Sequence, residues 1–286
     1  MINRPAESPY EWHQKTVDHL KSILLPDKDV LALGLFGSFI NGTYDEWSDV
    51  DLLLVVGDQT KEKFYPLLNW LDPIGTIYTY NQSSGVFSST TRVCFEDFRR
   101  LDILIVTESM LARLEEWERV PFQNGLQPIF SRSPITDSIF IRKAFPDPAP
   151  LPELNQLEAI LNEFLFKGAL AVIKVVRGDL LIAFHLCLDL LRDCCLLQMI
   201  LRDRQEGRTY HKTGGATANT FIREFRPIPT STDSLGILNT VEESVHCFDG
   251  LVTELAPGFR NVGKPLLEAI ERAKKCVSSS DGIVAV

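Results

Sequence analysis

The chain has 286 residues, of which 45% are hydrophobic and 23% are charged. This composition is typical of a globular protein and excludes a disordered or low-complexity chain, and the length favours two domains. The formal net charge is −9, and residues 1–150 carry 14 basic and 21 acidic side chains, a net charge of −7. We therefore expect no binding of duplex nucleic acid, which requires a basic surface, and expect metal ions or a polycationic small molecule as partners.

The sequence predicts a cytoplasmic protein with neither a leader nor a membrane span. The N-terminal residues lack the apolar core of a signal peptide. Residues 180–201 are the most apolar stretch, but His185, Asp189, Arg192 and Asp193 interrupt it, so we expect a buried helix there. The six cysteines lack the spacing of a metal site or a disulfide framework, which favours buried thiols in a reducing compartment.

The first half of the chain predicts a mixed sheet with a few helices. Ser8, Pro9 and Glu11 have the order of a helix start, and Pro26 ends that helix near residue 25. Further apolar patterns predict strands at 30–36, 50–56, 74–80, 86–89, 92–95 and 101–106, and helices at 61–71 and 108–118. Residues 119–143 have no clear pattern.

A proline-rich segment separates this half from a helical second half. Residues 145–152 contain four prolines, a composition that resists both helix and sheet and is typical of a linker. After it, apolar spacing predicts helices at about 153–176, 179–205, 231–250 and 264–278. The predicted fold class is therefore α+β, with an N-terminal mixed-sheet domain at 1–146 followed by an all-α helical bundle at 153–286.

The segment between the first two strands carries the clearest chemistry. Gly37 and Ser38 follow the first strand, where a glycine lets the backbone approach a phosphate and a serine hydroxyl adds a donor beside the first N–H groups of a helix. Asp49 and Asp51 open the second strand, and a period of two directs both carboxylates to one face. Close carboxylates repel each other unless a cation lies between them, and Mg²⁺ is such a cation. The Gly-Ser pair alone also fits a simple turn, and the Asp-x-Asp motif alone also fits a strand end. Their combination is what favours a functional site.

A third acid, Asp102, lies within the apolar strand predicted at 101–106. An aspartate on such a strand is costly if it has no partner. It therefore either joins the other two carboxylates at a metal site or forms a salt bridge with Arg99 or Arg100.

These motifs resemble the nucleotidyltransferase superfamily, whose archetype is DNA polymerase beta: Gly-Ser, then Asp-x-Asp on the next strand, then one acid on a later strand. The Arg-Leu-Asp-Ile segment at 100–103, the helical segment at 162–167, the Lys-x-x-Arg-Gly segment at 174–178 and the His-Lys-Thr-Gly-Gly loop at 211–215 are similar to the streptomycin (aminoglycoside) 6-adenylyltransferases. They are more distantly similar to the lincosamide nucleotidyltransferases. The resemblance covers about residues 9–225.

The resemblance implies transfer of a nucleoside monophosphate, normally AMP from ATP, to a hydroxyl of a small molecule, with pyrophosphate as the leaving group. It implies that Asp49, Asp51 and Asp102 hold two Mg²⁺ ions at the reacting phosphate, and that Gly37 and Ser38 contact the β- and γ-phosphates. The cationic acceptor that the acidic first half favours would be an aminoglycoside-type antibiotic. A lincosamide acceptor and a partner protein, as in toxin–antitoxin pairs, are the alternatives.

Two residues are candidates for the base that takes the proton of the attacking hydroxyl. Asp102 is one, because the third acid often has that role in the family, and it is slightly favoured. Glu163 is the other: it shares a helix face with Lys167, four residues later, and Lys174 follows nearly two turns on. This face could meet the metal site across a cleft, with the two lysines toward the nucleotide phosphates. Alternatively, Glu163 and Lys167 form only an exposed ion pair.

Overall fold

The computed structural model describes residues 9–117, 120–122, 125–142, 145, 154–205, 219–259 and 262–280. In these ranges the helices are α1 (Pro9–Leu24), α2 (Ser38–Asn41), α3 (Glu108–Ala112), α4 (Pro134–Phe140), α5 (Leu154–Val176), α6 (Leu180–Gln205), α7 (Asn219–Glu224), α8 (Ser234–Leu255) and α9 (Lys264–Ser280). The strands are β1 (Val30–Phe36), β2 (Val50–Val56), β3 (Ile77–Ser84), β4 (Ser89–Phe95), β5 (Arg100–Thr107) and β6 (Gln127–Ser131). The α+β fold class is confirmed.

The chain divides into two compact units, residues 1–148 and residues 149–286. The first unit contains one six-stranded sheet in the order β3-β4-β5-β2-β1-β6. Only the central pair, β2 and β5, is parallel, and the other neighbours described are antiparallel. The sheet is therefore mixed, as the sequence predicts. The proline-rich segment at 146–152 lies outside the described residues.

Hydrophobic side chains cover both faces of this sheet. On β2, Leu52 and Leu54 belong to a core with α1, while Leu53 and Val55 belong to a core with α3 and α4 on the opposite face. All four side chains are fully buried. A continuous apolar run is the pattern expected of a central strand that is buried on both faces.

The second unit is a helical bundle built from α5, α6, α8 and α9. One hydrophobic core joins these helices, with Phe164 of α5 stacked on Phe248 of α8 at 3.7 Å between ring centroids. The start of α8 is capped by Asp233, whose carboxylate accepts a hydrogen bond from the backbone N–H of Gly236 at 2.7 Å. The described residues of the second half are helical or in turns and loops, as the sequence predicts.

Several local predictions are wrong. The helix predicted at 61–71 is two short 3₁₀ turns, Lys61–Lys63 and Asn69–Leu71, because Pro66 lies between them and cannot donate within a helix. The three strands predicted between 74 and 95 are two longer ones, β3 and β4. The helix predicted at 108–118 ends at Ala112, after which the indole of Trp117 turns back to donate to the carbonyl of Met110.

Three elements were not predicted, namely β6, α4 and α7. The cysteines also differ partly from expectation, since Cys187 and Cys194 are buried but Cys276 is exposed. In the described part of the chain, no helix combines the length and apolar character needed to cross a membrane.

Candidate active site

Strand register brings three aspartates together on one face of the sheet. Asp51 of β2 lies directly opposite Asp102 of the parallel strand β5, and Asp49 precedes β2 by one residue. Carboxylate oxygens of the three residues lie within 4.8 Å of one another. We call Asp49, Asp51 and Asp102 the acidic triad. It is the only group of metal-ligating side chains of this kind within the described ranges.

Gly37 packs directly against the acidic triad. Its backbone has φ +75°, a conformation that favours glycine, and a Cβ atom there would lie 2.0 Å from Oδ2 of Asp51. A side chain at position 37 would therefore collide with a carboxylate of the triad. The sequence predicts that this glycine lets the backbone approach a phosphate, and the structure adds a second reason for a glycine here: Asp51 uses the space that a side chain would fill.

Burial and mutual repulsion disfavour ionisation of the acids in the triad. Burial, together with the nearby carboxylates of Asp49 and Asp102, raises the pKa of Asp51 from 3.8 to about 7. Burial and Asp49 also raise the pKa of Asp102. Within the described part of the chain, the Asp51 side chain has no hydrogen bond or ion pair. Desolvation and like charge both disfavour the ionised form, and a cation relieves both.

Two arginines balance part of this charge. Nη2 of Arg100 lies 2.5 Å from Oδ2 of Asp49, and Nε of Arg92 donates to Oδ2 of Asp102 at 3.0 Å. The salt bridge predicted as an alternative for Asp102 therefore exists, but with Arg92. Arg99 pairs instead with Asp97. Arg92 is not among the residues predicted from sequence, although its position beside the apolar Val93 on a predicted strand indicates that it faces away from the core.

The donor set of the acidic triad fits a hard divalent cation. Three carboxylates on neighbouring chain segments offer only oxygen ligands, which Mg²⁺ prefers. One of them, Asp51, has a raised pKa and no partner among the described residues, so it retains both oxygens for an ion. Asp49 and Asp102 each keep one oxygen outside their arginine pair.

Ser38 begins α2, which is a single turn of four residues. Its backbone carbonyl accepts a hydrogen bond from Thr43 at 3.2 Å, while its hydroxyl has no hydrogen-bond partner in the ranges described. The hydroxyl is thus available to a ligand. Because α2 is so short, its dipole is small, and the serine hydroxyl and nearby backbone N–H groups are the relevant donors.

His13 of α1 contacts the loop between Ser38 and Asp49, and it is not among the residues predicted from sequence. The histidine is 1% exposed, and its Nε2 lies 3.1 Å from the carbonyl oxygen of Ser48. Its ring also stacks on Phe39, the residue after Ser38, at 5.8 Å between centroids. The two ends of the loop therefore both contact the His13 side chain. The position of His13 next to the apolar Trp12 in the predicted first helix indicates that it is buried.

The candidate residues of α5 form ion pairs within the helical unit. Lys167 lies 2.7 Å from Glu163 and 3.0 Å from Asp193 of α6, and Lys174 lies 2.9 Å from Asp179. The hydrogen bond from Lys167 lowers the pKa of Glu163. The roles of Glu163, Lys167 and Lys174 toward acceptor and phosphate stay predictions.

The loop at 211–215, whose motif contributed to the family resemblance, lies outside the described residues.

A known family model matches the part of the chain that contains two acids of the triad. Residues 15–85 match the family model of the nucleotidyltransferase domain. This part of the chain is therefore similar to a nucleotidyltransferase domain. The match contains Gly37, Ser38, Asp49 and Asp51 and ends before Asp102, which the β2–β5 register brings to the other acids.

The chain is also similar to several solved structures. These are an aminoglycoside 6-adenyltransferase from Bacillus subtilis (15% identity, 92% of this chain and 98% of that chain, TM-score 0.41), the spectinomycin adenyltransferase AAD(9) from Enterococcus faecialis (12%, 95% and 100%, 0.34) and the c-di-GMP synthase CdnE from Capnocytophaga granulosa (14%, 96% and 83%, 0.25). At these TM-scores the likeness does not specify an activity. No curated protein matches the chain.

Proposed function

We propose that this chain, part of which is similar to a nucleotidyltransferase domain, is a Mg²⁺-dependent enzyme that transfers AMP from ATP to a hydroxyl of a small molecule and releases pyrophosphate. The observation that supports this most strongly is the convergence of Asp49, Asp51 and Asp102 beside Gly37 and Ser38. In the reaction, the acceptor oxygen loses its proton and bonds to the α-phosphorus. The bond from that phosphorus to the oxygen bridging to the β-phosphate breaks, and pyrophosphate leaves with both bonding electrons.

The acidic triad would hold the metal, which, when bound, neutralises the charge that develops on the reacting phosphate. Gly37 allows the β1–α2 backbone to approach the triphosphate closely, since it has no side chain. The Ser38 hydroxyl donates a hydrogen bond to a phosphate oxygen and fixes its position. The walls of the site are rigid because β2 and β5 are buried on both faces of the sheet.

We assign the base role to Asp102 in preference to Glu163. Asp102 lies in the triad itself, within 4.8 Å of the other carboxylates, so a hydroxyl near the reacting phosphate is near its free oxygen. Glu163 is held by Lys167 in an ion pair that would have to open before the glutamate accepted a proton. Glu163→Gln tests this assignment, because Asp102→Asn would also remove a proposed metal ligand. Turnover retained in Glu163→Gln supports Asp102 as the base, whereas turnover lost with nucleotide binding intact transfers the role to Glu163.

The acceptor we propose is a cationic, aminoglycoside-type antibiotic. Residues 1–150 have a net charge of −7, and ammonium groups gain energy from such a field. The sequence motifs shared with aminoglycoside adenylyltransferases favour the same class. Added salt should therefore weaken acceptor binding, since it screens the attraction.

The experiment that tests this function measures pyrophosphate release from ATP and Mg²⁺ with streptomycin, kanamycin, lincomycin or no acceptor. We expect release with an aminoglycoside only. Release with lincomycin alone would overturn the acceptor class, and label transferred from ATP to a protein would support protein modification. No release and no label transfer would overturn the proposed function.

Two variants connect the activity to the site. Asp49→Asn keeps the shape of the side chain and removes its charge, so we expect turnover to fall at least about a thousandfold. The matched control is Asp72→Asn, which neutralises an exposed carboxylate of the same unit. Equal activity of the two variants would contradict the role of the triad.

A further inference from the structure

Two arginines share the sheet face of the acidic triad. Arg92 of β4 is directly opposite Asp102 in the antiparallel β4–β5 pair, so the two side chains lie on one face. Arg100 precedes Asp102 by two residues on β5 and therefore also shares that face. The site thus consists of three acids and two cations, and the proposed function gives the two cations no role.

Each arginine occupies one oxygen of an acid of the triad. Arg100 binds Oδ2 of Asp49 at 2.5 Å, and Arg92 binds Oδ2 of Asp102 at 3.0 Å. A divalent cation and a guanidinium repel each other and compete for the same carboxylates. A divalent ion that binds the triad, even through the other carboxylate oxygens, is therefore expected to weaken both arginine pairs.

Displacement of either arginine is inexpensive because both side chains are already half exposed. Their exposed fractions are 47% for Arg92 and 51% for Arg100. Water screens the guanidinium end of each pair, so a divalent ion, which carries twice the charge, can replace the arginine. In the described ranges neither arginine has a second carboxylate partner to which it would move. Each displaced guanidinium is left beside the metal site without a counter-ion.

A triphosphate supplies the missing counter-ion. A guanidinium binds phosphate oxygens with two parallel hydrogen bonds and retains its charge at all relevant pH values. We infer that Arg92 and Arg100 hold the acidic triad in the metal-free protein and, once a divalent ion replaces them, bind phosphate oxygens of the nucleotide. This inference rests on the proposed function, because it assigns two further residues to the same nucleotide site.

Removing either arginine should change the affinities for the metal and for the nucleotide in opposite directions. Arg100→Gln removes a competitor of the metal, so Mn²⁺ alone should bind about three- to fivefold more tightly. The same variant removes a phosphate ligand, so the non-hydrolysable α,β-methylene analogue of ATP should bind about tenfold more weakly in the presence of Mn²⁺. Arg92→Gln should behave in the same way. A merely structural role would weaken both ligands together.

The experiment uses the full chain, with Mn²⁺ binding followed by electron paramagnetic resonance and analogue binding by calorimetry. Arg113→Gln is the matched control, since Arg113 is also 47% exposed and pairs with Glu116 away from the triad. We expect it to change neither constant. Arg100→Lys keeps the charge, so Mn²⁺ binding should stay near that of the wild type. Its analogue affinity should be intermediate, because lysine lacks the two-pronged geometry.

The results separate failure of the inference from failure of the proposed function. If the wild-type chain binds no Mn²⁺, or if Asp51→Asn leaves Mn²⁺ binding unchanged, the metal site itself is refuted. If Mn²⁺ binding depends on Asp51 but Arg100→Gln changes both constants in the same direction or neither, the inference alone is overturned. Circular dichroism of each variant confirms that its fold is retained before binding is compared.

Discussion

Replacing Asp51 by asparagine should stabilise the metal-free protein while abolishing its metal binding. The pKa of Asp51 rises from 3.8 to about 7 because burial and the other two carboxylates oppose its ionisation. Each pKa unit corresponds to about 1.4 kcal/mol, so full ionisation costs the folded state about 4 kcal/mol. Asparagine has nearly the same shape and no charge, and therefore removes this cost.

The sign and the pH range follow from proton linkage. A carboxylate whose pKa is raised by folding binds more protons in the folded state, so stability from this group falls as pH rises. For Asp51 the loss begins near pH 4, reaches about 2 kcal/mol at pH 5 and is nearly complete, at about 4 kcal/mol, by pH 8. The advantage of Asp51→Asn should grow over the same range.

Urea unfolding in the presence of EDTA, followed by tryptophan fluorescence, measures this difference. All four tryptophans lie in the first unit, at positions 12, 47, 70 and 117, so the signal reports unfolding of the domain that contains the triad. Asp72→Asn serves as the control and should change the free energy of unfolding by at most about 0.5 kcal/mol. If Asp51→Asn is no more stable than the wild type at pH 8, the electrostatic reasoning is refuted.

Three further variants test individual contacts. Gly37→Ala places a Cβ against the Asp51 carboxylate at positive φ, and should destabilise the first unit by about 1–3 kcal/mol and weaken Mn²⁺ binding, as fluorescence unfolding and Mn²⁺ titration will show. His13→Phe keeps the aromatic packing but loses the contact with the Ser48 carbonyl, so unfolding should become easier by about 1 kcal/mol; an unchanged midpoint would contradict a supporting role. Lys167→Met removes the 3.0 Å contact with the buried carboxylate of Asp193 on α6, so the free energy of unfolding should fall by about 1–3 kcal/mol. Loss of helical circular dichroism in urea measures this change.

The central strands could be predicted from sequence because one local cause determines them. The segments 30–36 and 50–56 are continuous apolar runs, and β1 and β2 have those bounds. A run that is buried on both faces needs no information about its partners to be recognised as a strand. Asp49 and Asp51 could likewise be placed on one face from their spacing alone.

The outer parts of the sheet could not be predicted because distant pairing defines them. Strand β3 is largely exposed and polar, and only its hydrogen bonds to β4 identify it as a strand. The edge strand β6 contains Pro128 and pairs with β1 almost a hundred residues earlier. The local pattern of such segments is weak, and long-range pairing overrides it.

The arginine partners of the acidic triad could not be predicted from the sequence either, because pairing between distant segments also determines them. Asp102 was expected to pair, if at all, with an arginine beside it in the chain. Arg99 precedes the strand and pairs with Asp97, and Arg100, which shares the face of Asp102, pairs with Asp49 instead. The cross-strand neighbour Arg92 reaches Asp102, and this required the β4–β5 register.

In the proposed function, the cost that destabilises the metal-free triad would also drive its binding of a cation. Three clustered carboxylates carry a charge of −3, which Arg92 and Arg100 reduce to −1. A divalent ion that displaces the arginines relieves the repulsion around Asp51 and at the same time frees two cations for an anionic ligand. Binding of the metal and of the triphosphate is then coupled, and linkage requires each to raise the affinity of the other by the same factor. A site of this kind holds metal and nucleotide tightly together and each of them alone only weakly.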